Sequence, residues 1–265
     1  MNASAIEFHL TTTALGRNLH VFAELDSTNV TAREMAAAGA PHGTVVIADA
    51  QRQGRGRLGR TWASPREVNL YVSVVLRGAL PVERVAQISL LAGVATCETV
   101  REWCAAEIKW PNDVLAGGRK VAGVLCEMTA AGTEHVIVIG IGVNLNASLD
   151  DFPPELRDKA GSLRMATGMA IDRARFAGRL LGALELRYEQ WRHDGFAPIA
   201  AAWRALAPCL GQSIRVLEPG DSVVEGIVVD IDGDGALRIR GADGREHRVV
   251  SGDVTVIDGY HRQPV

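Results

Sequence analysis

Glu107-Ile108-Lys109-Trp110-Pro111-Asn112-Asp113 and, a few residues on, Gly117-Gly118-Arg119-Lys120-Val121-Ala122-Gly123-Val124-Leu125-Cys126-Glu127-Met128 decide the fold class of this chain. The first stretch is a short strand over 107–110, stopped by Pro111, which has no N–H to continue a ladder. Gly117-Gly118 marks a turn. Apolar strands are expected over 120–128 and 135–145. A parallel pair needs a crossover of a dozen or more residues, usually a helix, and none fits between these strands. They must pair mostly antiparallel. The expected class is α+β, a mixed and largely antiparallel sheet with helices, rather than a doubly wound parallel sheet.

Upstream, a short strand is expected over 19–23. Asp26-Ser27-Thr28-Asn29 then reads as polar capping ahead of an Ala-rich helix that Gly39 closes. Strands over 44–50 and 69–76 flank a loop, and a long amphipathic helix over 81–104 carries Pro81 in its first turn. Downstream, 146–169 is irregular and helices follow over 173–192 and 197–206. From Ser213 short alternating strands are joined by Pro219-Gly220-Asp221, Asp232-Gly233-Asp234-Gly235 and Ala242-Asp243-Gly244, the texture of a small barrel of hairpins. Two domains are expected, 1–211 and 212–265, with the boundary near 208–212.

The 265 residues are 47% apolar and 22% charged with a net charge of -3, an ordinary globular composition that argues against general polyanion binding and against a DNA-binding role. No apolar run could cross a bilayer and no basic-then-apolar leader opens the chain, so a cytoplasmic protein without a membrane partner is expected. Four cysteines without a CxxC pair read as reduced thiols. Of 28 basic residues 25 are Arg and three are Lys, at 109, 120 and 159, so a lysine in a structured position invites a reason.

Gln51-Arg52-Gln53-Gly54-Arg55-Gly56-Arg57-Leu58-Gly59-Arg60-Thr61-Trp62 packs four arginines and three glycines into a dozen residues without apolar periodicity. Such a loop can close backbone amides and guanidinium groups around an anion. Its literal GxGxxG is not a dinucleotide fingerprint, because Thr61-Trp62-Ala63-Ser64-Pro65 starts no helix. No Gly-Lys dipeptide exists for a Walker loop. Lys109-Trp110-Pro111-Asn112-Asp113 delivers a cation, an aromatic, an amide and a carboxylate at a strand end, although Trp110 also suits a core and Asn112-Asp113 a plain turn. Lys120 opens an apolar strand in which Gly123 leaves room for close approach. Gly140-Ile141-Gly142-Val143-Asn144-Leu145-Asn146 is a strand against which a flat ligand could lie. Scattered histidines and unpatterned carboxylates give no protein metal site.

Together GRGRLGRTW at 54–62, KWPND at 109–113, RKVAGVLCE at 119–127, GIGVNLN at 140–146 and DSTN at 26–29 resemble the biotin–protein ligases in order and spacing. The resemblance spans the main domain and the C-terminal region. It implies a catalytic domain like that of class II synthetases and lipoate ligases, followed by an SH3-like barrel. It also implies ATP-dependent activation of biotin to biotinoyl-5′-AMP, with Mg²⁺ arriving on the nucleotide, and transfer to a lysine of a biotin carboxyl carrier domain.

The residues follow from the same likeness. Ser27, Thr28 and Asn29 would line the biotin pocket, and Gln51, Arg55, Gly56 and Arg57 would close it near Gly123. Lys120 would touch both the biotin carboxylate and the α-phosphate, with Arg57 as the second catalytic cation. Arg60, Trp62, Asn112, Asp113 and Asn144 would lie toward the nucleotide. Leu58 departs from relatives that place another basic residue there, which should weaken loop–nucleotide attraction. With DSTN starting at 26, a ligase without an N-terminal DNA-binding domain is expected. A lipoate or octanoate ligase or transferase on the same fold is the alternative.

Overall fold

The computed structural model describes residues 1–78, 84–131 and 134–257. Its main sheet has seven strands: β1 (Leu19–Phe22), β2 (Val45–Ala48), β3 (Leu70–Arg77), β4 (Glu107–Lys109), β5 (Asp113–Ala116), β6 (Arg119–Ala131) and β7 (Glu134–Val143). They lie in the order β1-β2-β3-β7-β6-β5-β4. Only β1 and β2 pair in parallel, and the remaining neighbours are antiparallel. The mixed, largely antiparallel sheet expected from 107–145 is present. Strand β5 was not expected. Five residues between Pro111 and a Gly-Gly turn look too few for a strand, but Asp113–Ala116 finds partners on both sides.

Strand alternation divides the sheet into two faces. Val45, Ile47, Val72, Val74, Ile137, Ile139 and Ile141 belong to the large core, while Val46, Val75, Val136 and Val138 form a smaller one. Over the large core lie α3 (Val85–Val100), α5 (Arg173–Asp194) and α6 (Ala197–Leu206); α1 (Ala3–Glu7) packs on α5, and α4 (Leu163–Thr167) follows the irregular stretch. Helix α2 (Thr28–Ala37) covers the smaller core through Ala32 and Ala36. Two expectations need correcting here. First, α3 is buried on nearly every side, from Ile88 and Leu90 through Val94 to Val100, because it is wedged between sheet and α5/α6, so it is a core helix rather than an amphipathic one. Pro81 lies outside the described residues. Second, Ser27 is the N-cap of α2 but its side chain makes no capping bond, since this polar run faces the binding cavity. Gly39 does end the helix, at φ +95°.

The C-terminal region forms a second, antiparallel sheet from β8 (Ser213–Leu217), β9 (Val223–Ile231), β10 (Leu237–Arg240), β11 (Glu246–Val249) and β12 (Asp253–Val256). Its order is β11-β10-β9-β8-β12, and among the described residues no ladder joins β11 to β12 to close a barrel. It docks through the turn after β9. There Trp110 Nε1 donates to the Gly235 carbonyl at 3.2 Å and Gln87 Nε2 to the Gly233 carbonyl at 2.7 Å. Trp110 is thus a core aromatic, 2% exposed, and also a docking post.

Candidate active site

The smaller-core face of the sheet carries no side chain at three adjacent places. Tyr71, Gly142 and Gly123 form one row across β3, β7 and β6, and Ser73, Gly140 and Leu125 form the next. These glycines cut a trough that neighbouring side chains enter. A Cβ on Gly140 would stand 2.1 Å from Asn29 Oδ1, and one on Gly142 would stand 2.6 Å from Trp62 Cε2. Trp62 therefore lies flat along the trough, with Lys120 Nζ 5.3 Å from its ring centroid.

The arginine loop is folded back over this trough. Trp62 N donates to the Gly54 carbonyl at 2.9 Å and Gly56 N to the Arg60 carbonyl at 2.7 Å, enclosing a 3-10 turn at Arg57–Gly59. Leu58, at φ +55°, points its side chain outward and is exposed. Three of the cations here face a carboxylate. Arg55 Nη1 lies 3.1 Å from Glu127, Lys120 Nζ lies 2.6 Å from Asp113, and Arg60 is forked onto Asp253 of the C-terminal sheet. Arg57 differs. Its guanidinium bonds Asn112 Oδ1 at 3.2 Å and Ser251 Oγ at 2.7 Å, and no carboxylate of the described residues stands within ion-pair distance. Burial pulls its pKa down, with Asp113 and Asp253 opposing from farther off. The group stays charged, and it lines the cavity.

A single cavity of about 680 Å³ runs under the loop. Every residue named from the sequence lines it: Ser27, Thr28, Asn29, Gln51, Arg55, Gly56, Arg57, Arg60, Trp62, Asn112, Asp113, Lys120, Gly123 and Asn144. Several of these polar groups are already committed. Gln51 Oε1 accepts from Thr28 N at 2.9 Å, and Asn112 Nδ2 donates to the Val124 carbonyl at 2.6 Å. Asn144 Nδ2 reaches the Gly161 carbonyl at 3.0 Å. Asn112 and Asn144 are braces: one holds Arg57, the other holds the segment around Gly161 against the sheet.

That segment, irregular in sequence, brings in residues that sequence reasoning missed. Lys120 N donates to the Lys159 carbonyl at 2.8 Å and Gly161 N to the Lys120 carbonyl at 3.0 Å, so Phe152, Asp158 and Lys159 line the cavity. Lys109 lines it too, so all three lysines of the chain face one space. The scarcity of lysine was the available signal. Asp253, Thr255 and Val256 of the second sheet complete the wall, and nothing local in that sequence marks them.

Comparison with known proteins places the chain in a family. A family described as the biotin/lipoate A/B protein ligase family matches residues 21–144, and the biotin protein ligase C-terminal domain matches 209–256. A Mycobacterium tuberculosis protein named biotin--[acetyl-CoA-carboxylase] ligase is 39% identical over 245 residues, covering 90% of this chain and 88% of its own length. This chain belongs to the biotin protein ligase family. A Bacillus subtilis member, named a bifunctional ligase/repressor, is 37% identical over 96% of this chain and 78% of its own length. The Aquifex aeolicus biotin protein ligase, solved in complex with biotin and ATP, superposes with a TM-score of 0.78 at 29% identity, covering 90% of this chain and 98% of that one. In this member of the family the fold, the cavity and the two-sheet wall are all present. Among the described residues no helix is long and apolar enough to cross a membrane, and no group of three or more His, Cys, Asp or Glu could hold a metal ion.

Proposed function

We propose that this chain joins biotin to ATP, forming biotinoyl-5′-AMP and pyrophosphate, and then passes the biotinoyl group to a lysine amine of a biotin carboxyl carrier domain. The observation that carries this reading is the continuity of the cavity. A hydrogen-bonding end around Ser27, Thr28 and Gln51 suits the uncharged ring of biotin. It leads directly to Lys120 and Arg57, where a carboxylate and a phosphate would have to meet.

The chemistry follows from charge. A carboxylate oxygen attacks the α-phosphorus, the bond to pyrophosphate breaks, and negative charge gathers on the phosphate oxygens. Arg57, positive and with no carboxylate of the described residues in ion-pair contact, and Lys120, on a flexible stem, would stabilise that charge. Arg60 and Trp62, with Asn112, Asp113 and Asn144 behind them, would form the nucleotide end. Mg²⁺ fits this site only as a companion of the nucleotide: it takes one or two carboxylates plus phosphate oxygens, and the carboxylates on the cavity wall, Asp113 and Asp253, would have to leave Lys120 and Arg60 to reach it. Bound there, it would neutralise phosphate charge. In the second step the carrier amine attacks the acyl carbon, the anhydride C–O bond breaks, AMP leaves, and the amine gives up its proton. The folded-back loop would keep water from that anhydride. Free cysteines fit a reducing compartment, so we place the chain in the cytoplasm.

Exchange of labelled pyrophosphate into ATP tests the reading directly. It should require added biotin and fail with lipoate or octanoate; exchange driven by lipoate instead would overturn it.

A further inference from the structure

Both feet of the arginine loop are tied to one hydrogen-bonded circuit beneath the cavity. From the Trp62 carbonyl it runs to Ser64 Oγ at 3.0 Å and to Gln51 Nε2 at 2.9 Å. Gln51 Oε1 accepts from Thr28 N, and the Ser73 hydroxyl sits 2.8 Å from Thr28 Oγ1 and 2.6 Å from Asn29 Oδ1. Asn29 Nδ2 donates to Glu127 Oε2 at 2.8 Å, and Glu127 Oε1 meets Arg55 at 3.1 Å. The circuit begins and ends on the loop. Glu127 is its only carboxylate, and it does not line the cavity itself.

We propose that Glu127 is a positioning residue that sets the affinity of the biotin end through Arg55 and Asn29; this rests on the biotin reading above. An exposed ion pair would ordinarily hold Arg55 weakly. Here one carboxylate oxygen is locked by the Asn29 amide and the side chain is only 18% exposed, so the other oxygen faces Arg55 at 3.1 Å in a fixed direction, with Arg33 on α2 more distant at 3.8 Å. Asn29 in turn lies against Gly140 with its amide oxygen held by Ser73, which leaves it no freedom to follow a displaced partner. Loss of the Glu127 charge should therefore slacken the loop's first foot without disturbing the nucleotide end. That end is held separately, by Asn112, Ser251 and Asp253.

Glu127→Gln tests this. Glutamine keeps the shape and can still accept from Asn29, but its NH₂ would then oppose Arg55. Calorimetry with biotin alone should show a Kd raised about 10-fold, the scale of a lost hydrogen bond to a charged group, while KM for ATP stays within about twofold. The empty variant should melt within a few degrees of wild type, and Glu127→Asp, which restores the charge, should recover part of the affinity. On an Arg55→Ala background, Glu127→Gln should add little further loss. Unchanged biotin affinity, a parallel rise in KM for ATP, or no recovery in Glu127→Asp would overturn the proposal. Wild-type protein that binds no biotin would instead sink the biotin reading on which it stands.

Discussion

Lys120 and Asp113 sit 2.6 Å apart on neighbouring strands, in a chain whose cations are otherwise almost all arginine. A compact ammonium on a four-carbon stem can leave a carboxylate and follow a phosphate, whereas a guanidinium fork is bound to its geometry. Lys120→Ala is expected to lower biotin-dependent pyrophosphate exchange by about 10²–10³-fold, the scale for removing one electrostatic stabiliser. Near-normal exchange would remove Lys120 from the chemistry. Gly142 makes the matching geometric prediction. Its missing Cβ is the reason Trp62 can lie on the sheet, so Gly142→Ala should lift the indole. Tryptophan fluorescence should shift and biotin binding should weaken, while an unshifted spectrum would mean that the ring is held by something else.

Among elements, the arginine loop is the least self-sufficient. Its internal bonds are those of one tight turn, and its outer end is held by the β11–β12 connection and β12, through Ser251 and Asp253. Asp253→Ala should therefore speed proteolytic cleavage between 52 and 60 in the empty protein, and biotin with ATP should restore protection. Equal cleavage of variant and wild type would show that the second sheet does not hold the loop. The 12–15 segment is fastened differently. The Glu185 carboxylate on α5 accepts from the amides of Thr13, Ala14 and Leu15, at 2.6, 2.9 and 2.7 Å. Burial by itself would raise the Glu185 pKa, but these amide donors prevail and hold it below its usual value of 4.5. A depressed carboxyl stabilises the fold above its unfolded value and loses that contribution as pH falls through the folded one. Glu185→Gln should cost about 1–2 kcal/mol at neutral pH and flatten the acid limb of the stability curve between pH 5 and 3, as read by urea melts. An acid limb parallel to wild type would show that Glu185 is not what titrates.

At the scale of the whole molecule, the cavity lies between two sheets that are far apart in sequence. One wall is β3, β6 and β7; the other is β12, over a hundred residues downstream. The interior is closed enough to silence two of its thiols: burial pushes Cys97 to about 12 and Cys209 to about 11. Iodoacetamide at pH 8 should label these cysteines slowly in the native protein and quickly in denaturant. Fast native labelling would mean that the core opens readily.

How much of this was legible beforehand differs by part. The sheet class could be read from 107–145, because strand-to-strand distances too short for a crossover leave only antiparallel pairing. Much of the cavity could be read as clusters, because glycines, scarce lysines and an arginine loop have little use in a plain core, whereas Ser27, Thr28 and Asn29, read locally as helix capping, entered it only through the resemblance to the ligase family. Strand β5 and the buried character of α3 could not, since both depend on neighbours that the local pattern does not contain. By itself the sequence determined which chemical groups are present and which strands must run against each other, through period, turn residues and connection length. Only the tertiary structure decided that Glu127 holds the loop's first foot, that Asn112 and Asn144 are braces, and that Ser251 and Asp253 reach the site. Those are contacts between residues from 17 to nearly two hundred positions apart. No local pattern encodes such contacts; packing of one sheet on another creates them.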